Sequence, residues 1–568
     1  MRSKRIKKVM CCAILVLALL ATCCLAGCGN KSATNAGQTG TTNSGSTGSQ
    51  SSGTKTSEGP EPVTMPISDK KITLTMFCIL DGKAALTLQS LEENLTMQKY
   101  EELSNIDIEW YHPSSASTVG EALNIMIASN DLTDIISNIT SASEGLDSLV
   151  NRGVILRLNE LIDQYGYYLS KAFKDYPEFY RQSLTYDGNI ALYPTARLDE
   201  ETRYFESFIM RGDWLKQLNL DIPKTVDDWY TVLKAFKTKD PNNNGKDDEL
   251  PFVSNSNEEM GVTRLGSLWG INTCLFRWNG TTVIDGKIKF STETDAFDEY
   301  VSTMRKWYEE GLIDSEYVST DATGWKEKVL TNRGGAFYGK MNGGIGTLMG
   351  SFDYSQDEDF TLIPVPYATT KDGKSYDLYS QDIFDNGGCA ISAKCKHVKE
   401  AIKWLDYLYS PEGQIMASFG VEGVTFEYDD KGVPHYTELI TNNPDGLSMV
   451  NAIAKYSLGG IAPRAINDKY YWDAVMSYDE QRMVYPTVSV STRERKTPGN
   501  LKYSQEEYER LNKLMADIGT YYKENLHAFI IGKKPLSELG AFKEQINKMG
   551  LPEAMSIMQT AYDRYMAN

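Results

Sequence analysis

Between residues 72 and 136 the apolar period of this chain changes from two to helical and back, twice, and few architectures tolerate that pattern. Ile72, Leu74 and Met76 alternate with Thr73 and Thr75, the period of a strand with one face buried. A helical stretch is expected over about 88–100, and Ile106, Ile108 and Trp110 then alternate again. Val119, Leu123, Met126 and Ile127 return to helical spacing, and Asp134-Ile135-Ile136 reads as a third short strand. Strand, helix, strand, helix, strand predicts an α/β fold with helices covering a sheet. Two more extended runs are expected at 189–194 and 204–210. Thr225 precedes a helix with Val226, Trp229, Leu233 and Phe236 on one stripe and Asp228 placed to complete a capping box, which makes Trp229 a core residue. Further helices are expected over 294–310, 398–409, 504–524 and 551–565, giving a helical C-terminal region.

Upstream of this pattern, Arg2, Lys4, Arg5, Lys7 and Lys8 precede an apolar run that ends in Leu25-Ala26-Gly27-Cys28. A basic start, an apolar stretch and a small-residue ending describe a secretory signal over 1–27. A membrane-spanning anchor is the competing reading, since the run is nearly long enough to cross a bilayer core. The small side chains at Ala26 and Gly27 fit a peptidase cleft, and the Cys28 thiol can carry a thioether-linked diacylglycerol. The expected mature chain therefore starts at Cys28 with an anchor of diacylglycerol and palmitate type, because two acyl chains hold where one binds only reversibly. Its location would be the extracellular face of the cell membrane. Residues 28–69 are rich in Ser, Thr, Gly and Asn with hardly an aliphatic side chain, a composition for a flexible tether.

The formal charge of −18 over 568 residues repels phosphate backbones, so nucleic acid is not an expected partner. Five of the nine cysteines lie at or before Cys28. Cys78, Cys274, Cys389 and Cys395 remain for the body, where a disulfide and buried thiols both stay open.

Asp240-Pro-Asn242-Asn-Asn244-Gly-Lys246-Asp-Asp248-Glu249 places side-chain oxygens at alternate positions around Gly245, as an EF-hand loop does. The expected ligands of a structural Ca²⁺ are Asp240, Asn242, Asn244, the Lys246 carbonyl, Asp248 and Glu249. Position twelve is Pro251 rather than glutamate, so Glu249 would close the site. The alternative is an Asn- and Gly-rich surface turn without metal.

The run 123–136, the run 211–229, the loop at Asp240, Gly420-Val-Glu-Gly-Val424, the run 529–536 and the closing stretch 548–565 resemble the family 1 extracellular solute-binding lipoproteins of ABC transporters, closest to a subgroup from Gram-positive bacteria. The resemblance covers about residue 70 to the C-terminus. It implies an α/β, two-lobed periplasmic-binding-protein-like fold of class II type, like that of maltose-binding protein, with hinge crossings near 193–206, 379–388 and 421–428. Lobe one would comprise 70–195 plus 385–424, and lobe two 196–384 plus 425–568. In related alginate-oligosaccharide binders such a loop holds calcium, which carries over to the six residues named above.

Ligands of such sheets bind beyond the carboxyl ends of strands. That rule selects 110–113 and 134–138 as floors of the cleft in lobe one, with Trp110 and Asp134 as candidates. In lobe two, Trp269, Trp278 and Trp325 lie in Gly- and Asn-rich surroundings without helical periodicity, and Arg464 is a polar candidate. Indole faces stack on the CH-rich faces of sugars, and Asp, Asn and Arg bond hydroxyls. For each tryptophan the alternative is core packing, and for Asp134 a strand-end turn. No catalytic residue is expected: His112, His397, His435 and His527 form no HExxH, the Gly373-Lys374-Ser375 run has Ala368 where a P-loop opens with Gly, and Gly344 to Gly350 misses GxGxxG at Met349. The expected function is a monomeric, lipid-anchored receptor that captures an oligosaccharide or other small solute and delivers it to ABC permease subunits. The alternatives are a receptor for peptides, an extracellular glycan-acting enzyme and an adhesin.

Overall fold

The computed structural model describes residues 59–567 apart from 114–117, 257–260, 277–279, 322, 460–462 and 464. The signal segment, Cys28, the tether as far as residue 58, Trp278 and Arg464 lie outside the described residues.

Nine strands build two sheets: β1 (Ile72–Phe77), β2 (Ile106–Tyr111), β3 (Ile135–Ser137), β4 (Tyr193–Ala196), β5 (Glu206–Arg211), β6 (Leu250–Phe252), β7 (Gly334–Lys340), β8 (Leu362–Val365) and β9 (Phe384–Ile391). The first sheet runs β2-β1-β3-β9-β4 and the second β8-β5-β7-β6. In the first, β1 is parallel to β2 and β3, with Phe77 opposite both Tyr111 and Ile136. β9 returns from the second sheet antiparallel to β3 and β4, placing Cys389 opposite Ser137 and Tyr193. Its register shifts between Phe384 and Gly388. A Cβ at Gly388 would sit 2.1 Å from the Tyr193 carbonyl oxygen, so only glycine permits this approach of backbones.

Each sheet has its own core. Leu74, Met76, Ile106, Ile135 and Ile136 are fully buried in the first, where they meet Trp404 and Leu405 of the helix Val398–Tyr407. The second packs Phe208, Trp214, Trp229, Phe236 and Phe252. Trp229 is edge-on to Phe208 at 5.2 Å and to Phe252 at 6.4 Å, the core position its helical spacing predicts. Its helix, Val226–Thr238, opens with the expected capping box of Thr225 and Asp228. The 26-residue helix Gln505–Ile530 buries Leu511, Ile518, Tyr522 and Phe529 in the same core. The first predicted helix starts later than its apolar spacing suggests, at Leu95, because the Asn94 side chain accepts from the Thr96 and Met97 amides and fixes the N-terminus there.

The stretch 421–428 does not form a crossing. It leads into a small hairpin of Phe426–Tyr428 with Pro434–Tyr436, beside a minor core around Ile440 and Ile453. The segment that joins the crossings is 465–467, and Ala454, Leu458, Ala465 and Ile466 pack into the first core. Cys78, Cys274, Cys389 and Cys395 are buried thiols and form no disulfide.

Candidate functional site

Three passages between the sheets lie side by side. After β4, Arg197 donates its amide to the Ile383 carbonyl (2.8 Å), and Gln381 donates to the Arg203 carbonyl (2.9 Å). Ala196 donates to Ala465 and accepts from the Asn467 amide, both at 2.8 Å. Their side chains tie a knot across the same place. Arg197 grips Asp385 through Nε to Oδ1 (3.1 Å) and Nη2 to Oδ2 (3.0 Å), and its Nη1 donates to the Thr202 carbonyl (2.8 Å). Asn467 Nδ2 donates to the same Asp385 Oδ2 (3.1 Å). The guanidinium also lies over the Phe205 ring at 4.9 Å and the Trp472 ring at 5.9 Å. A bidentate, largely desolvated pair of this kind fixes geometry as well as energy.

Hollows flank the knot. On the side of the first sheet, Ser137 and Asn138 at the carboxyl end of β3 line a cavity of about 100 Å³ with Thr195, Gly388, Pro463 and Ala465. Asn138 holds a left-handed backbone at φ 59°, a conformation asparagine tolerates. On the side of the second sheet, Tyr204, Met341, Trp472, Gln481 and Tyr485 line a cavity of about 290 Å³. Trp472 stacks on Phe205 at 5.8 Å and 15°, and its indole nitrogen is buried without a hydrogen-bond partner. Behind this wall, Arg264 is fully buried between the rings of Tyr338 (4.7 Å) and Tyr379 (4.2 Å), with Glu206 at 3.8 Å compensating its charge. Aromatic faces beside amide and hydroxyl groups suit a ligand with apolar CH faces and many hydroxyls.

The residues singled out in sequence divide. Trp110 lies near the carboxyl end of β2, half-buried, stacked on His112 at 6.0 Å, with its indole nitrogen buried and unpartnered. The His112 ring bridges the Cys78 carbonyl (2.7 Å) and the Leu91 amide (3.2 Å), so Nδ1 donates and Nε2 accepts. Asp134 instead precedes β3, at the amino end of this central strand, opposite the end where Ser137 and Asn138 line the cavity. Its Oδ2 accepts from the Thr75 amide and hydroxyl, both at 2.9 Å, which is the strand-end role. Trp325 is buried against Phe337 at 4.9 Å in the second core. Trp269 packs edge-on to Tyr300 at 5.6 Å and lines a separate hollow of about 460 Å³ that shares no residue with the crossings. Neither shows helical periodicity in sequence, yet Trp269 ends a wholly buried 3₁₀ helix, Val262–Trp269, and Trp325 sits in the helix Gly324–Leu330. The first element is buried all round and carries no amphipathic period, and the second, at seven residues, is too short to show one. Trp472, which sequence reasoning passed over, lies in a short helix, Lys469–Ala474, with no buried residue. Its aromatic run Tyr470-Tyr471-Trp472 is the only local signal.

The loop at Asp240 is folded around its own oxygens. Asp240 accepts from the amides of Asn244 (3.1 Å) and Gly245 (2.9 Å), and Asn244 Oδ1 accepts from Lys246 (2.7 Å). Asn244 Nδ2 donates to Asp248 Oδ1 (2.9 Å). Glu249 is 1% exposed, and its Oε1 has no hydrogen-bond partner. Burial, then the charges of Asp240 and Asp248, raise its carboxyl above the ordinary range. Among the described residues no three His, Cys, Asp or Glu side chains stand at metal-ligand spacing; the loop's donor set relies on amide and carbonyl oxygens as well. Lys237 and a backbone amide relieve this carboxylate only in part, and its buried, unpartnered oxygen near two further acids is a donor that Ca²⁺ would suit.

A sequence profile described as bacterial extracellular solute-binding protein matches residues 86–415. The chain is 26% identical over 577 residues to the fructooligosaccharide ABC transporter substrate-binding protein FusA of Streptococcus pneumoniae, covering 98% of each chain. It is 28% identical over 368 residues to lipoprotein LipO of Bacillus subtilis, covering 62% of this chain and 67% of LipO. Among solved structures, the alginate-binding protein AlgQ2 without calcium ion superposes with a TM-score of 0.66 at 26% identity, over 89% of this chain and all of that one. An EF-hand mutant of FusA with fructo-nystose superposes at 0.65 and 24% identity, over 87% and 100%. The two sheets, each with its own core, and the three bonded crossings are the two-lobed fold of those proteins. With the profile covering more than half of its length, this chain belongs to the bacterial extracellular solute-binding protein family.

Proposed function

We propose that this protein is the substrate-binding component of an ABC importer, held outside the cell by lipid on Cys28, that captures an oligosaccharide between its lobes and presents it to the permease subunits. The observation that carries the reading is the knot of Arg197, Asp385 and Asn467, with an aromatic and amide-lined cavity on each side of it. A solute touching both walls binds the shut form best and so shifts the open and closed populations. FusA, similar over nearly its whole length, is named for fructooligosaccharides, which supports a sugar cargo over a peptide. The lobes divide near the crossings, with 70–195 and 385–424 in the first and 196–384 and most of 425–568 in the second. Trp110, Asn138 and Trp472 would contact ligand. Asp240, Asn242, Asn244, Lys246, Asp248 and Glu249 would hold a structural Ca²⁺ that relieves the buried Glu249 carboxylate and stiffens the loop.

Thermal unfolding tests both parts. EDTA should lower the midpoint and calcium restore it, while Glu249→Gln should lose the response. Ligand present at 100 Kd stabilises the folded form by about 2.7 kcal/mol, so a fructooligosaccharide or other plant or host glycan should raise the midpoint. Silence toward every sugar with a shift for peptides would discard the carbohydrate, and indifference to EDTA would discard the ion.

A further inference from the structure

A fourth hollow, larger than those at the knot, lies where helices of the two lobes face one another. It measures about 570 Å³, within the range of small-molecule sites, between the helix Pro177–Ser183 and the C-terminal helix Leu551–Ala567. The first helix buries Phe179 in the first core, and the second buries Met555 and Met558 in the second core. Gln182 joins the wall to the hinge: its Oε1 accepts from the amide of Phe384 at the start of β9 (3.2 Å), and its Nε2 donates to the Tyr565 hydroxyl (3.3 Å).

In a chain of formal charge −18 this lining is unusual, since it gathers Arg181, Lys502 and Arg564 around Tyr180, Tyr186 and Tyr565. Arg181 forms no ion pair or hydrogen bond among the described residues; its Nε is buried without a partner, and its guanidinium lies 4.6 Å from the Tyr565 ring. Arg564 pairs with Glu507 at 2.6 Å, which leaves its own Nε buried and unpartnered, and it lies 4.8 Å from the Tyr186 ring. Lys502 Nζ donates to Asn500 Oδ1 (2.7 Å) and faces the Phe384 ring at 5.6 Å, with no carboxylate bound to it. Burial lowers its ammonium to about 7 despite the charge of Asp147, a shift that an anion bound against it would oppose further. One acid, Glu178, shares the wall and accepts from Gln182 (3.0 Å). Two guanidiniums with donors left over, a lysine that an anion would hold charged, and the exposed rings of Tyr180 and Tyr186 form a receptor for a small anion that also carries a flat or CH-rich face.

We infer that this hollow is a second ligand site, distinct from the cleft at the knot, for a small acidic sugar bearing a phosphate or a carboxylate, with Arg181 as its principal anion contact. Because its walls come from both lobes, an occupant favours the lobe arrangement that keeps them at this spacing and so couples to cargo binding.

The test is calorimetric titration of the full chain in detergent with glucose 6-phosphate, galacturonate, inorganic phosphate and glucose. Binding of either acidic sugar, no binding of glucose, and a tenfold or greater loss of affinity in Arg181→Met would support the site; the two acidic probes tell a phosphate ligand from a carboxylate one. Arg181 makes no bond the fold depends on, and unchanged far-UV dichroism and thermal midpoint confirm that the variant folds. Tyr180→Ala, on an exposed ring, should weaken the acidic sugar and leave phosphate alone unaffected. No binding of either acidic sugar at 10 mM, equal affinity for glucose, affinity unchanged in Arg181→Met, or inorganic phosphate binding as tightly as the sugar phosphate would each overturn the inference. None of these outcomes depends on which cargo the cleft takes.

Discussion

Removing Asp385 tests whether the knot holds the crossings together. Arg197 is 8% exposed at its side chain and Asp385 23%, so the pair is largely out of water. Asp385→Ala strips the guanidinium of two charge-assisted bonds and leaves it the Thr202 carbonyl and two aromatic faces. Asn467 loses its bond to the same carboxylate. Breaking a fully buried pair from one side costs about 3–5 kcal/mol; water reaching the partly exposed Asp385 reduces this to about 2–4 kcal/mol here. The assay is equilibrium urea unfolding followed by tryptophan fluorescence and far-UV dichroism, whose transitions coincide if the lobes unfold together. Arg197→Met in the Asp385→Ala background removes the stranded cation, so the double variant should lose at least about 1 kcal/mol less than the sum of the singles. A loss below about 0.5 kcal/mol in Asp385→Ala, or strict additivity, would refute the reasoning.

Two further outcomes follow from buried groups. Asp406 is fully buried and accepts from the amides of Tyr168 and Leu169 at the start of the helix Tyr167–Asp175, and burial raises its carboxyl to about 7. The folded form then holds this proton more tightly than the unfolded chain, so the group's contribution falls by about 1.4 kcal/mol per pH unit as pH rises between about 5 and 7. Urea midpoints should decline over that window in the wild type, and Asp406→Asn should flatten the slope; an unchanged slope would contradict the assignment. Trp229→Ala should cost about 3–5 kcal/mol, measured by the same unfolding curves, because the ring fills a site closed by Phe208 and Phe252.

Parts of this architecture are legible in local sequence because local physics sets them. The alternation at Ile72, Leu74 and Met76 and the stripe through Trp229 are periods that one element imposes on itself. The oxygen spacing of the loop at Asp240 is likewise contained within ten residues, and there the structure adds what spacing could not show, the buried and unpartnered Oε1 of Glu249. The tryptophans were harder. Trp269 stands in a wholly buried helix with no polar face to reveal it, and Trp325 in a helix of seven residues, too short to show a period, so both read falsely as loop residues. Asp134 follows the rule for a cleft acid in sequence, but it sits before β3 and not after it, so its carboxylate closes on Thr75.

The hinge belongs to a different order of information. Arg197 and Asp385 are 188 residues apart and Asn467 is 82 beyond Asp385, so no window of sequence contains their bond. The third crossing, expected at 421–428, is displaced to 465–467 by a hairpin and a minor core inserted between them. Sequence by itself determined the α/β layering, the capped start of the helix at Thr225 and the family, since these rest on periods and motifs within single elements. The knot, the cavities beside it and the cationic hollow at Arg181 were decided only by tertiary structure, because each is made of side chains that become neighbours when the two sheets are joined.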